Sequence, residues 1–434
     1  MKRPWKAACF AAALTSLLFA IVYNLCNRLT YIRPDVGVWA FQWEQLWPVV
    51  PIMIVPYWSI DALFVLSPFL CRTEEEVSVL RCRIVFVICG GALGFLLIPL
   101  RFAFPRPHVE GAFAPWFAAL YTFDFPHNLF PSLHIALRTL LAHHYVKHSR
   151  GVLRSVAHGW FSLIGISTLL TWQHHLVDVL GGFWLAGIAL HLFGSEEPSQ
   201  PRARNRTVAG FYAIGAIVCT QLARLSWPWT FVFVWPAFAL GTAAYCYLGH
   251  GSFYRKKEGL LTFLTKLFFA PLIAGQWASW WYYRRQSAAW DRLTPRVWLG
   301  SVLTEGEAEK AVAEGVTAVL DMTTEFSRPR AFSKIRYLNV PVLDLTAPSI
   351  QQFNEAAAFI GRESAEGVVY VHCKAGYSRT AGAAAAWLLA TGRAKSAEDA
   401  FAQLRAVRPK IVVRPEIREG LAAGKIESSA TAAC

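Results

Sequence analysis

Charge is scarce in this chain, and what there is leans one way. Only 16% of the 434 residues are charged, with 28 acidic side chains against 42 basic ones. Together with 55% hydrophobic residues and 18 tryptophans, that lies outside the range of ordinary soluble domains and points to a membrane protein. The nine cysteines (9, 26, 71, 82, 89, 219, 246, 373 and 434) include no Cys-x-x-Cys pair and no metal-ligand spacing. There is no internal repeat and no charged pair in mid-span, which argues against a transporter. The first apolar stretch follows Lys2, Arg3 and Lys6 but lacks a small-residue cleavage site, so it reads as a retained helix.

The basic excess is unevenly placed. Residues 1–290 hold 24 Lys+Arg against 12 Asp+Glu, whereas residues 291–434 hold 18 against 16. A basic excess confined to connections between apolar spans is the positive-inside signal, and it excludes nucleic acid as a partner. Eight spans of roughly bilayer length are expected, at 7–26, 48–70, 84–104, 132–146, 157–173, 176–193, 207–223 and 230–249. Arg72, Arg81 and Arg83, then Lys147, Arg150 and Arg154, then Arg202, Arg204 and Arg206, then Arg255, Lys256 and Lys257 mark the cytosolic connections. The opposite ones carry only Arg28, Arg33, Arg101, Arg106 and Arg224. The segment 259–283, with Lys266, Pro271, five clustered aromatics and Arg284-Arg285 at its end, suits an amphipathic helix in the interface. A ninth span is the alternative, and it would put residues 290–434 outside.

Those C-terminal residues are chemically distinct. Val368 to Val371 reads as a short buried strand that delivers Cys373 into a loop, and an Ala-rich helix opens near Arg379. Backbone N–H groups at such a helix start cradle an anion, and the same field favours a cysteine thiolate. Arg379, six residues after Cys373, can grip two phosphoryl oxygens. The pattern suits phosphoryl transfer. An exposed thiolate of this kind requires a reducing compartment, which places residues 290–434 in the cytosol.

His372-Cys373, five further residues and Arg379-Thr380 resemble the signature of the cysteine-dependent protein tyrosine phosphatases. Val297 to Gly300, Val316 to Met322 and Val340 to Thr346 are similar to strands of a small dual-specificity phosphatase, over about residues 290–420. The resemblance implies Cys373 as nucleophile, with His372, Gly376, Ser378, Arg379 and Thr380 around the phosphoryl group. Asp344, 29 residues before Cys373, would protonate the leaving oxygen, although a strand-end turn residue fits there too. Lys374, Asp344 to Ser349 and Arg408 to Pro415 resemble phosphatidylglycerophosphate phosphatases. Lys374 and Arg414 would then add positive charge for an anionic headgroup, unless Lys374 is a solvated surface lysine.

A second constellation lies in the apolar half. Arg101 and Arg106-Pro107, Phe130-Pro-Ser-Leu-His134 and Trp172-Gln-His-His-Leu-Val-Asp178 all fall at the outer face by the charge rule. Ionisable groups at span ends inside a bundle mark functional sites. Asp178, one helical turn after His174, can set its tautomer. His175 is rotated by about 100° and cannot share that contact equally. These residues resemble the type 2 phosphatidic-acid phosphatase superfamily over about residues 80–195, and within it the inositol phosphorylceramide synthase branch. The resemblance implies His174 as phosphate acceptor, Asp178 as its orienter and His134 as proton donor, with Arg106 and Ser132 holding the phosphoryl group. Pro99 stands where the superfamily has Lys, Leu133 where it has Gly, and Thr168 where it has Arg. Arg101 or Arg138 would supply the missing charge, or Arg138 sits at a helix interface.

The expected architecture is a polytopic α-helical membrane domain followed by a cytosolic α/β cysteine-phosphatase domain. Residues 1–250 form the membrane part with its motifs at 101–178, 251–289 an interfacial helix and linker, and 290–434 the phosphatase. The expected enzyme is a multi-pass inner-membrane phosphatase or phosphotransferase for lipid phosphates, needing no metal or other cofactor. A membrane-tethered phosphatase for phosphoproteins, its apolar half only an anchor, is the alternative.

Overall fold

The computed structural model describes residues 3–193, 204–225, 230–249 and 253–423. The Ser-Glu-Glu-Pro-Ser-Gln-Pro stretch at 195–201, expected to be a cytosolic loop, lies outside the described residues. Two compact units emerge, Met1–Glu197 and Pro198–Cys434.

The first unit is helical. Its helices are α1 (Trp5–Tyr31), α2 (Ile54–Leu66), α3 (Glu74–Leu97), α4 (Ala114–Phe123), α5 (Leu133–His148), α6 (Gly151–Leu170) and α7 (Leu176–Leu192). The α3 helix starts ten residues before the expected apolar span, because Thr73 caps it by accepting the Glu76 N–H at 3.2 Å and three glutamates occupy the first turn. The α1 helix buries small residues (Ala8, Ala11, Ala12, Thr15) and turns Phe10, Leu17, Ile21 and Leu25 outward, each more than half exposed. An outward stripe of large apolar side chains is costly in water and suits a hydrocarbon solvent. Among the described residues, four helical stretches are long and apolar enough to cross a membrane: Trp5–Tyr31, Pro51–Leu70, Glu74–Leu97 and Arg206–Ala223. Leu176–Leu192 and Val232–Tyr247 are shorter apolar helices. The core joins Val87 and Ile88 of α3, Leu137, Leu140 and Leu141 of α5, and Ala186 and Ala189 of α7. Close approach is what glycine permits here. A Cβ on Gly182 would meet the Ser132 carbonyl oxygen at 2.4 Å, and one on Gly94 would meet Pro131 Cδ at 2.2 Å. The turn carrying Ser132 is thereby wedged between α3 and α7.

The second unit opens with two antiparallel helices, α8 (Arg206–Leu225) and α9 (Thr230–Tyr247), which the sequence had grouped with the membrane domain. A hairpin, β1 (Lys256–Lys257) and β2 (Leu260–Leu261), leads into α10 (Phe263–Phe268) and α11 (Ala270–Arg284). The segment 259–283 thus folds as a strand and two short helices. An α/β fold completes the unit: β3 (Trp290–Thr294), β4 (Val297–Gly300), α12 (Glu305–Ala313), β5 (Val316–Thr323), β6 (Arg336–Val342), α13 (Ile350–Glu366), β7 (Val368–His372), α14 (Arg379–Ala390), α15 (Ala397–Val407) and α16 (Pro415–Ala423). The sheet order is β3-β4-β7-β5-β6, with β4, β7, β5 and β6 parallel and β3 antiparallel at the edge. β7 is central, and Val369, Tyr370 and Val371 are fully buried, as a strand covered on both faces must be. In such sheets the chemistry collects beyond the carboxyl ends of the strands, and Cys373 follows β7 there.

Candidate active site

Cys373, 3% exposed, ends the central strand, and residues 374–378 loop round to the start of α14. Gly376 turns the loop at φ 73°, and a Cβ there would strike the Gly300 carbonyl oxygen at 2.4 Å. Arg408 staples the loop from outside. Its Nε donates to the Gly376 carbonyl at 3.0 Å and its Nη2 to the Ala375 carbonyl at 3.2 Å, while Asp291 holds Nη1 at 2.5 Å. Carbonyls held outward leave the intervening N–H groups to line the concave side, the geometry of an anion nest. The hydroxyls of Ser378 and Thr380 have no hydrogen-bond partner among the described residues.

Arg379 is 2% exposed and fully engaged. Nη1 donates to the Val342 carbonyl at 2.7 Å and to Glu325 Oε2 at 3.2 Å. Nη2 donates to Glu325 Oε1 at 2.6 Å and to Asp344 Oδ1 at 3.0 Å. Asp344 in turn meets Lys374 Nζ at 2.5 Å, and Lys374 donates to Gln276 Oε1 of α11 at 2.9 Å. Burial alone would raise the Asp344 carboxyl, but the Arg379 and Lys374 cations hold it below the usual carboxylate range. Lys374 is therefore neither a solvated lysine nor an uncommitted charge; it is 8% exposed and pairs with Asp344. Arg414 reaches the same loop, donating to the Leu345 carbonyl at 3.3 Å. His372, placed by the sequence among the phosphate-binding groups, is buried beside the ring of Tyr370 and faces Asp321 at 3.9 Å. Burial lowers its imidazole, partly opposed by Asp321.

Several contributors have no local sequence signal. Glu325 and Gln276 lie 54 and 98 residues from the side chains they bind. Tyr247 Oη donates to the Asp344 carbonyl at 2.8 Å, and Asn205 Nδ2 to the Leu345 carbonyl at 2.8 Å. Leu345 itself adopts φ 62°, a costly conformation for a non-glycine residue. Lys256 is sunk against Asp321 at 2.6 Å and the Thr323 carbonyl at 2.9 Å. Burial would raise Asp321, yet Lys256 and His372 hold it at about 2.

In the first unit, His134 and His174 line one cavity of about 410 Å³. His174 Nδ1 lies 3.6 Å from Asp178 Oδ2, an oxygen that also accepts the His175 N–H at 2.8 Å. His175 points elsewhere: its Nδ1 meets Glu44 at 2.7 Å and its Nε2 accepts the Ala103 N–H at 3.0 Å. Arg106 enters a smaller adjoining cavity that also reaches His174. Two expected members stand apart. The Ser132 hydroxyl caps α5 by accepting the Ile135 N–H at 3.2 Å, and Arg101 has an exposed side chain that lines none of these cavities. Arg138 Nε donates to the Phe161 carbonyl, at the α5–α6 interface. Among the described residues, no three His, Cys, Asp or Glu side chains are placed to share a metal ion.

Residues 297–423 match the dual specificity phosphatase catalytic domain. Dual specificity phosphatase 28 of Homo sapiens is 32% identical over 120 residues, 27% of this chain and 67% of that protein. Dual specificity protein phosphatase 12 of Mus musculus is 33% identical over 27% of this chain, which spans only 36% of the mouse protein's length. A phosphatidylglycerophosphate phosphatase of Arabidopsis thaliana is 26% identical over 30% of this chain and 60% of its own length. Through residues 297–423 the chain belongs to the dual specificity phosphatase family.

Proposed function

We propose that this protein is a membrane-integral phosphatase for lipid phosphates, with Cys373 as the nucleophile of its C-terminal site. The Cys373 thiolate attacks phosphorus while the loop N–H groups and Arg379 hold the phosphoryl oxygens. The bond to the leaving oxygen breaks as Asp344 gives that oxygen its proton. Water, deprotonated by the Asp344 carboxylate, then releases phosphate from the cysteinyl intermediate. In the free enzyme Asp344 is ionised and paired. A bound phosphoryl dianion competes for Arg379 and offsets Lys374, which favours the protonated acid at the moment it is needed.

One observation carries the lipid reading over a phosphoprotein one. The loop of Asp344 is hydrogen-bonded by Tyr247 and Asn205, at the ends of the apolar helices α8 and α9. If that hairpin is bilayer-embedded, the mouth of the site lies at the headgroup level. The test compares turnover of phosphatidylglycerophosphate in vesicles with that of a phosphotyrosine peptide, using the full chain and Cys373→Ser. Faster peptide turnover would overturn the lipid assignment and favour a tethered protein phosphatase.

We further propose that the cavity of the first unit is a second phosphoryl-transfer site, with His174 as acceptor, Asp178 as orienter and His134 as proton donor. Its support is the convergence of both imidazoles on one cavity. It would hydrolyse a lipid phosphate or transfer a headgroup at the outer face, and phosphohistidine trapping with His174→Ala as control tests it.

A further inference from the structure

The cavity that holds His134 and His174 has a charge character of its own. Its lining includes Asp61 and Asp124, and no lysine or arginine is among its described lining residues. Asp61 sits within α2, in one of the stretches apolar enough to cross a membrane; it is exposed and makes no hydrogen bond or ion pair among the described residues. An ionisable group in such a stretch demands a functional reason. Asp124 shares one carboxylate oxygen with the hydroxyl of Tyr23 at 2.6 Å. Aromatic rings complete the walls: Phe19, Tyr23, Tyr57 and Trp58, with Tyr57 stacked on His134 at 4.2 Å between centroids.

Each imidazole lining this space has one ring nitrogen without a hydrogen bond among the described residues. His174 is 9% exposed, and its Nδ1 has no hydrogen bond there; His134 Nε2 is likewise buried and unpartnered. A lone phosphate monoester is a poor fit, because two carboxylates would face its negative charge. Among the described residues, Arg106 is the one guanidinium lining the adjoining cavity, and this smaller cavity shares Tyr23, Asp124, Asn128 and His174 with the large one. Arg106 thus lines only the smaller cavity and Asp61 only the large one with its aromatic faces, while Asp124 lines both and its main-chain carbonyl accepts from Arg106 Nη2 at 2.6 Å. That polarity matches a phosphodiester whose head ends in an ammonium group, since aromatic faces and carboxylates attract alkylammonium ions.

We propose that this cavity receives a zwitterionic phospholipid, with its phosphoryl group between Arg106 and His174 and its ammonium head among Asp61, Asp124 and the surrounding rings. The proposal rests on the reading of His174 as a phosphoryl acceptor for its chemistry, but not for its binding preference.

The test uses the full chain in phosphatidylglycerol vesicles with phosphorus-32-labelled phosphatidylcholine, phosphatidylethanolamine and phosphatidic acid of equal acyl length. Binding is measured on His174→Ala, which cannot form a phosphohistidine, and covalent labelling on the unmodified protein. The choline and ethanolamine lipids are expected to bind roughly tenfold more tightly than phosphatidic acid. Asp61→Asn should abolish that preference and Asp61→Glu should retain it, so that a folding defect is told from a lost charge. Equal binding of the three lipids, or a preference for phosphatidic acid, would overturn the proposal. Acid-labile label on the unmodified protein with no headgroup preference would leave the His174 reading standing and remove this one. A headgroup preference without label would support this proposal and remove the His174 reading.

Discussion

Asp344 and Arg379 are bonded to each other, Oδ1 to Nη2 at 3.0 Å, in the site as it stands without substrate. The group expected to donate a proton is thus held as a carboxylate by the group expected to bind the phosphoryl oxygens, with Lys374 reinforcing the hold at 2.5 Å. Catalysis then requires the substrate to compete with Asp344 for Arg379.

Lys374→Met should therefore raise the Asp344 carboxyl. The acid must be protonated to act, so activity falls as pH rises through its pKa, and a raised pKa moves that fall upward. We expect the basic limb of kcat/KM to shift up by about one unit, the lower end of what one nearby charge does. A pH–rate profile with an aryl phosphate reads it; an unmoved or lowered limb would contradict the ion-pair explanation.

Glu325 braces Arg379 through Nη1 and Nη2 and is 1% exposed. Glu325→Gln keeps the shape but loses the charge and one acceptor. The expected cost is roughly 10- to 100-fold in kcat/KM, typical of losing a charge-assisted bond at a phosphoryl clamp. Competitive inhibition by vanadate should weaken in parallel.

Tyr247 acts at a distance from the thiol, through the Asp344 carbonyl. Losing one hydrogen bond of about 1 kcal/mol predicts a fall of about fivefold in kcat for Tyr247→Phe. Cysteine alkylation by iodoacetate should be unchanged, since Cys373 and its loop are untouched. A mutant with unaltered kcat would detach α9 from the acid loop.

Lys256 and Asp321 are 6% and 1% exposed in their side chains. The folded carboxyl, at about 2, lies below its unfolded value, so its contribution is present above about pH 4 and is lost as pH falls through about 2. That linkage is on the order of 2 kcal/mol. Lys256→Met leaves a buried carboxylate unpaired and should lower the midpoint of thermal inactivation of the Cys373-dependent activity at pH 7. Adding Asp321→Asn should restore much of it, because the amide removes the unpaired buried charge while its oxygen still accepts the Thr323 N–H and its nitrogen can donate to the Tyr337 hydroxyl.

His175 is a poor control for His174, contrary to what its one-residue offset suggests. It is 1% exposed and is the partner of a buried Glu44. His175→Ala should reduce folded yield on detergent chromatography, whereas His174→Ala should not.

Short-range patterns carried the catalytic loop. Strand, Cys373, Gly376 and Arg379 lie within a dozen residues, where spacing alone dictates which backbone groups converge on an anion. Apolar length likewise marked the helices, because a span is a property of consecutive residues. Only the fold could bring in Glu325, Gln276, Tyr247 and Arg408, since each reaches the loop from another element across tens of residues of intervening chain. The same holds for Ser132 and Arg101. Their motif positions suggested phosphate contacts, but a side chain's direction depends on the helix it caps or the surface it faces. Whether Lys374 is an uncommitted charge was decided by the acid loop returning beside it, a long-range contact between the ends of β6 and β7 that no local pattern encodes.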